Sequence, residues 1–125
     1  MTDAPGVREY VNAVVRLYVW LPGTPSRASR QDRRLARALF DRRVQLDTIR
    51  AAMVMTAARR AFRCAAAPPL QPIRTLFYFL PALDEVIHMA PEPGYVDYLV
   101  AKLRPLAQQK AAERPIPQPA EIFTS

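Results

Sequence analysis

Apolar residues at the start of the chain recur every three or four positions, which is the spacing of one face of an α-helix. The repeat consists of Val7, Val11, Val14, Leu17 and Leu21. Pro5 suits the first turn of such a helix, because the N–H that proline lacks would have no partner there. The pattern therefore predicts a helix over residues 5–21, which ends at the turn formed by Pro22 and Gly23.

The second predicted helix, over residues 29–42, has two unlike faces. Ser29 with Asp32 three residues later resembles a capping box, a common signal for a helix start. Leu35 and Leu39 fall on one face and are expected to be buried. The opposite face carries four arginines, which we call the arginine ridge: Arg30, Arg33, Arg34 and Arg37. We expect the ridge to remain in water.

A short turn at residues 43–45 leads to a third predicted helix, over residues 46–63, whose apolar residues point in nearly all directions. They are Ile49, Met53, Val54, Met55, Ala57, Ala58 and Phe62. A helix that is apolar on every side is usually the buried centre of a bundle. Its cations gather in the last turns, where the helix dipole favours positive charge; they are Arg59, Arg60 and Arg63. Residues 64–69 are predicted to form a linker.

Prolines divide the second half of the chain into shorter pieces, because proline cannot continue an α-helix without losing a hydrogen bond. The pattern predicts a short helix over residues 72–79 and a second over residues 81–89. A last helix is predicted over residues 95–106, with its end bent by Pro105. Residues 77–80 are aromatic enough for a strand, but no second run of this kind is present to pair with them.

Together these elements predict an all-α fold, a compact bundle of five to six short helices separated by Pro-rich breaks. A chain of 125 residues is long enough to bury one modest core. Residues 1–114 are predicted to form a single helical domain and residues 115–125 a mobile, Pro-rich tail. The predicted core consists of Val14, Leu17, Leu35, Leu39, Ile49, Met53, Leu76, Leu83, Leu99 and Leu103.

Positive charge is concentrated in one part of the chain. The net charge is +7, from 16 Arg and 2 Lys against 11 acidic residues. Residues 27–63 contain eleven Arg and three Asp and have a net charge of +8, whereas residues 1–26 sum to zero and residues 64–125 to −1. The whole excess therefore falls on the second and third predicted helices and the turns beside them.

This localised charge indicates a surface that binds a polyanion, with nucleic acid as the favoured partner and DNA preferred to RNA. Arginine suits phosphate because its planar guanidinium donates two parallel hydrogen bonds. The predicted nucleic-acid-binding residues are Arg27, Arg30, Arg33, Arg34, Arg37, Arg59, Arg60 and Arg63. Such contacts go mainly to backbone phosphates, so affinity is expected to fall steeply with salt.

The basic segment is also compatible with two roles that involve no nucleic acid. The ridge could dock on a protein with an acidic surface, or it could be only the solvated face of an amphipathic helix. Phe40 lies beside Arg33 on the helical wheel and could stack on a base, whereas Tyr78 is an equally good core residue. Residues 116–123 of the tail could also act as a docking peptide.

The second and third predicted helices, joined by a short turn, are similar in order to a helix-turn-helix. Arg43 and Val44 make the turn longer than that motif allows and stand where a tighter turn with glycine is expected. The third helix is also too apolar to lie in a DNA groove. We therefore expect contacts from the second helix and the end of the third, without base-specific readout of the major groove.

Residues that could support catalysis are few. His88 is the single histidine and Cys64 the single cysteine, which falls short of the four Cys or His ligands of a structural zinc site. Asp84 and Glu85 are adjacent and point about 100° apart on a helix, so they do not form a paired-carboxylate site. Three glycines cannot build a phosphate-cradling loop. The sequence predicts no enzymatic activity, no cofactor and no metal site.

The chain is expected to be cytoplasmic and to have no membrane partner. No apolar run approaches the roughly 20 residues that span a bilayer, and the first residues lack the basic and apolar parts of a signal peptide. A single cysteine excludes an internal disulfide framework, which is typical of proteins in a reducing compartment.

Residues 10–90 resemble helical modules of replication initiators and DnaD-type primosomal proteins. The resemblance is carried by Thr24-Pro25-Ser26, residues 32–39, Val44, Ile49, the pair Arg59-Arg60, and residues 73–81. Those modules also contain a Pro-Ser cap, two amphipathic helices and a short aromatic piece. The resemblance implies an accessory protein that binds DNA together with a replication or recombination partner, as part of a larger replication, recombination or mobile-element assembly.

Overall fold

The structure is a computed structural model that describes residues 6–113. These residues form five α-helices and one 3₁₀ helix, and contain no β-strand. The elements are α1 (Val7–Trp20), α2 (Arg30–Asp41), α3 (Leu46–Ala61), the 3₁₀ helix (Leu76–Phe79), α4 (Leu80–His88) and α5 (Pro93–Glu113). The predicted all-α bundle is confirmed, and the predicted tail over residues 115–125 lies outside the described residues.

Helix α3 is the centre of the bundle, as its apolar circumference predicts. It packs against α1, α4, α5 and the 3₁₀ helix, and seven of its 16 residues are buried. Helix α2 lies at the outside, where it packs against α1 and the 3₁₀ helix. All ten predicted core residues lie in or against the core, although Leu17 and Leu35 are only partly buried. Phe62, predicted among the apolar residues of α3, follows the end of that helix and is 47% exposed.

The start of α2 is held by the predicted capping box and by one further contact that links distant parts of the chain. Ser29 Oγ accepts a hydrogen bond from the Asp32 N–H (3.0 Å), and the Asp32 carboxylate accepts one from the Ser29 N–H (2.9 Å). Asp32 is only 2% exposed. Its other oxygen accepts from the Leu76 N–H (2.9 Å) and from the Thr75 hydroxyl (3.3 Å). This one carboxylate therefore fastens the 3₁₀ helix to α2.

The end of α2 contains a non-glycine residue in the left-handed region. Arg43 has a φ of 64°. Its N–H donates to the Phe40 carbonyl (2.9 Å), and the Val44 N–H donates to the Leu39 carbonyl (3.0 Å), which is the hydrogen-bond pattern of a Schellman motif. Glycine is usual at this position because an L-side chain there costs about 1–2 kcal/mol. The turn thus has the backbone geometry for which glycine is usual, although arginine occupies the position.

The 3₁₀ helix and α5 correct two predictions. The short helix predicted over residues 72–79 is reduced to a single 3₁₀ turn at its end. Helix α5 was predicted to end at Leu106, but it continues through Pro105 to Glu113. Its extension is held by the Lys110 ammonium, which donates to four oxygens at and beyond the end of α1: the carbonyls of Val19, Leu21 and Pro25 and the Thr24 hydroxyl.

Two tyrosines of α1 face the core, where water cannot reach their hydroxyl groups. Burial raises the pKa of Tyr10 to about 12. Burial, with a smaller contribution from the nearby Asp32 carboxylate, also raises the pKa of Tyr18 to about 12. Both tyrosines are therefore neutral throughout the physiological range and add nothing to the charge of the surface above them.

Candidate nucleic-acid interface

The arginine ridge lies on the face of α2 that points away from the core. The buried residues of this helix are Asp32, Ala36 and Leu39, and all four ridge arginines are exposed. No ridge guanidinium forms an ion pair with a carboxylate of residues 6–113. Its one hydrogen bond joins Arg33 to the Asn12 side chain at 3.5 Å. The ridge is thus a set of solvated cations whose hydrogen-bonding capacity is almost unused.

Helix α1 adds a second wall beside the ridge. A groove of about 580 Å³ runs between the two helices, and we call it the α1–α2 groove. Its lining residues are Val7, Arg8, Val11, Asn12, Arg30, Arg33, Arg34 and Arg37. Arg8 was not among the predicted site residues, because it lies in a segment of zero net charge. Its position in the groove depends on which face of α1 packs against α2, which is a tertiary property.

Five guanidinium groups around one groove, none of them ion-paired within residues 6–113, create a positive potential. Mobile anions therefore collect along the ridge. A nucleic acid that binds there also releases the cations condensed on its own phosphates, and the entropy of that release is a large source of affinity in phosphate-backbone recognition. The α1–α2 groove is chemically suited to a chain of phosphates.

The three predicted site residues at the end of α3 have a different environment, because each contacts another part of the chain. Arg59 pairs with Glu85 of α4 at 3.3 Å. Arg60 donates to the Gln71 carbonyl at 2.7 Å and to the Tyr78 hydroxyl at 3.0 Å. Arg63 donates to the Pro68 carbonyl. We call Arg59, Arg60 and Arg63 the α3 arginines; they contact α4 and the segment of residues 64–78.

The α3 arginines also line a different part of the surface from the ridge. Arg60 and Arg63 border a cleft of about 410 Å³ together with Pro22, Gly23 and residues 67–70. Arg27, the remaining predicted site residue, is exposed in the loop before α2. The eight predicted residues therefore form two basic groups, one on α2 with Arg27 beside it and one at the end of α3.

The 3₁₀ helix packs against both α2 and α3, and it meets α2 through the buried Asp32. Two of its aromatic side chains are about half exposed, Phe77 at 49% and Tyr78 at 44%. The Arg60 guanidinium lies over the Tyr78 ring, 5.3 Å from its centroid. Phe40, predicted as a stacking candidate, is instead partly buried and packs edge-to-face on Tyr10 at 5.4 Å. The exposed aromatics near the α3 arginines are thus Phe77 and Tyr78 of the 3₁₀ helix and Phe62 at the end of α3.

The side chains with potential for catalysis or metal binding are not grouped into a site within residues 6–113. Cys64 is exposed and free, and His88 is exposed at the last position of α4. Residues 6–113 contain no group of three or more His, Cys, Asp or Glu side chains placed to hold a metal ion. Within the same residues, no helix is both long enough and apolar enough to cross a bilayer.

Comparison with known proteins finds no family model, no curated protein and no solved structure that matches this chain. The chemistry of its own surface is therefore the guide to its function.

Proposed function

We propose that this protein is a non-catalytic accessory that binds nucleic acid, DNA in preference to RNA, mainly through the backbone phosphates. The observation that supports the proposal is the arginine ridge, four exposed guanidiniums on one helix face with no ion-pairing carboxylate among residues 6–113. Arg8 extends the ridge across the α1–α2 groove. The assembly in which it would act is one of replication, recombination or mobile-element transfer.

The ridge is suited to phosphates rather than to base edges. Arg30, the adjacent pair Arg33 and Arg34, and Arg37 follow each other at steps of three to four positions, so the ridge rises about 5 Å at each step along α2. Guanidiniums at this spacing can each take a phosphate oxygen without entering a groove of the nucleic acid. Helix α3, the second helix of the apparent helix-turn-helix, is the buried centre of the bundle and is not available as a recognition helix.

Fluorescence anisotropy with labelled single-stranded DNA, duplex DNA and RNA, at low and at physiological salt, tests this proposal. About five phosphate contacts predict that affinity falls on the order of a hundredfold between the two salt conditions. The test variant replaces Arg30, Arg34 and Arg37 by Gln. Its matched control replaces Arg16, Lys102 and Arg104, three exposed cations of α1 and α5, by Gln.

We expect the ridge variant to lose binding while the control, with the same net charge, retains most of it. Both are expected to keep the helical circular dichroism of the wild type. If both variants weaken binding equally, the interaction depends on net charge and not on the ridge. If the wild type binds none of the three probes at low salt, the proposal is wrong.

A second candidate, docking on an acidic protein, is favoured by one feature of the α1–α2 groove. Val7 and Val11 contribute apolar surface to its lining, and protein interfaces usually combine an apolar centre with a polar rim. The two candidates differ in their response to nuclease. A complex isolated from cell extract that survives nuclease treatment and requires the ridge would favour the protein partner.

A further inference from the structure

The position of Phe77 and Tyr78 bears on which form of nucleic acid would be bound. Single exposed apolar side chains are common on protein surfaces and need no explanation. Phe77 and Tyr78 differ because they are consecutive, are both about half exposed, and lie on the element that packs against both α2 and α3. Two neighbouring aromatic rings are therefore presented to solvent, and the second of them lies beside Arg60.

Two contacts place the 3₁₀ helix beside α2 and beside Arg60. The Asp32 carboxylate, one position before Arg33, accepts the Leu76 N–H at 2.9 Å. That contact sets Phe77, the next residue along the chain, beside the first turn of α2. On the other side, Arg60 donates to the Tyr78 hydroxyl at 3.0 Å. Arg74, just before the 3₁₀ helix, is also exposed and adds a cation to this surface.

The rings are held by contacts already present in the protein. The Thr75 hydroxyl caps the 3₁₀ helix by accepting from the Phe77 N–H at 3.2 Å. Tyr78 packs edge-to-face on the fully buried Phe79, with ring centroids 5.7 Å apart. Because these contacts restrict the rings before any ligand arrives, stacking on them would require little further loss of side-chain freedom.

We infer that the nucleic acid bound by this protein is single-stranded, and that its bases stack on Phe77 and Tyr78 while its phosphates contact exposed arginines that have no ion pair within residues 6–113. This inference rests on the proposed function and specifies its ligand. In a duplex each base face is covered by the neighbouring base pair, so exposed aromatic rings find no partner there. An unpaired strand exposes both its bases and its phosphates, and proteins that bind it combine basic grooves with aromatic stacking.

The chain provides a matched control for the aromatic contribution. Tyr95 on α5 is 49% exposed, as Phe77 is, and stacks on Tyr98 with a centroid distance of 6.4 Å. These tyrosines lie beside Lys102 and Phe62, on a helix that packs on α3. Removing the Tyr95 ring takes away a comparable exposed aromatic surface without changing the 3₁₀ helix.

The test compares full-length wild type, Phe77→Ala, Phe77→Leu, Phe77→Trp and Tyr95→Ala. The probes are an oligothymidylate strand and a hairpin duplex with the same number of phosphates, measured by anisotropy at one salt concentration. Phe77→Ala and Phe77→Leu are expected to weaken strand binding at least about fivefold, the lower end of the effect of losing one stacked base. Duplex binding is expected to be unchanged. Phe77→Trp retains a stacking ring and is expected to bind the strand as well as the wild type, as is Tyr95→Ala.

Phe77→Leu separates stacking from folding, because leucine keeps the apolar volume at this position but has no aromatic face. Equal affinity of the wild type for strand and duplex, with no effect of Phe77→Leu on either, would overturn the inference and leave the proposed function standing. Strand binding that falls as much in Tyr95→Ala as in Phe77→Ala would also overturn it. Absence of binding to both probes would remove the proposed function, and this inference with it.

Discussion

The arginine ridge and the α3 arginines use the same residue type for different physical purposes. The ridge guanidiniums project from the outer face of α2 and form no ion pair within residues 6–113. Each of the α3 arginines instead contacts another segment: Glu85 for Arg59, Gln71 and Tyr78 for Arg60, and Pro68 for Arg63. A cation that already has acceptors stabilises the fold, whereas a cation without them is available to a ligand. Positive charge alone therefore does not locate a binding surface.

This comparison predicts that substitutions in the ridge affect ligand binding, whereas substitutions of the α3 arginines affect the stability of the fold. The largest effect is expected for binding when the ridge is changed. The triple substitution of Arg30, Arg34 and Arg37 by Gln should reduce affinity at physiological salt at least on the order of a hundredfold. Its unfolding midpoint in urea should stay at the wild-type value or rise slightly, because repulsion between like charges is removed. A clear fall in the midpoint would show that the ridge has a structural role after all.

Asp32 fastens the 3₁₀ helix to α2, and its loss is expected to have the largest effect on stability. Asp32→Ala removes the acceptor for the N–H groups of Ser29 and Leu76 and for the Thr75 hydroxyl. With buried donors left unsatisfied, we expect about 3 kcal/mol of destabilisation in urea unfolding. Asp41→Ala, which removes an exposed carboxylate of the same helix, is the control and should change stability by less than about 0.5 kcal/mol.

Arg60 offers the most direct comparison with a ridge residue. Arg60→Gln loses the hydrogen bonds to Tyr78 and Gln71 and the contact with the Tyr78 ring. These contacts are partly open to water, so the expected destabilisation is about 1 kcal/mol. Arg37→Gln removes the same charge with no such contact and should leave the free energy of unfolding unchanged. Equal destabilisation by the two substitutions would contradict the distinction between the groups.

The smallest effect is expected at Arg43, an arginine of the basic segment that belongs to neither group. Its φ of 64° places it in the left-handed region, where glycine avoids a steric cost but loses more freedom on folding. We expect Arg43→Gly to stabilise the protein by about 0.5–1 kcal/mol, measured by urea unfolding. Arg42→Gly, at the preceding position with an ordinary φ of −82°, should be neutral or destabilising. Stabilisation by both would point to relief of charge repulsion instead of backbone strain.

Much of the fold follows from local signals that need no knowledge of neighbouring segments. The apolar spacing of α1 and α2, the Ser29–Asp32 capping box and the uniformly apolar α3 all predict elements that the structure contains. The extension of α5 beyond Leu106 is not predicted by the sequence, because its last turns depend on Lys110 binding oxygens at and beyond the end of α1. Proline discourages a helix locally, and a distant contact outweighs that preference here.

The candidate site also has features that the local sequence predicts and features that it does not. The exposure of the ridge could be predicted, because a helix with leucines on one face must turn its opposite face to water. The hydrogen bonds of Arg60 could not be predicted, because nothing in the local sequence indicates that Tyr78 and Gln71 lie beside it. The addition of Arg8 and the exposure of Phe77 were missed for the same reason. Both depend on how helices far apart in sequence pack together.

The amino-acid sequence by itself therefore determined that the protein is helical, that α3 is its centre and that its excess charge falls on residues 27–63. These properties arise from side-chain periodicity and composition, which act over one or two helical turns. Only the tertiary structure decided which arginines of residues 6–113 form no ion pair, which residues face them across the α1–α2 groove and which aromatic rings are exposed. Those properties depend on contacts between segments distant in sequence, because a guanidinium becomes structural or available according to the acceptors that folding brings within its reach.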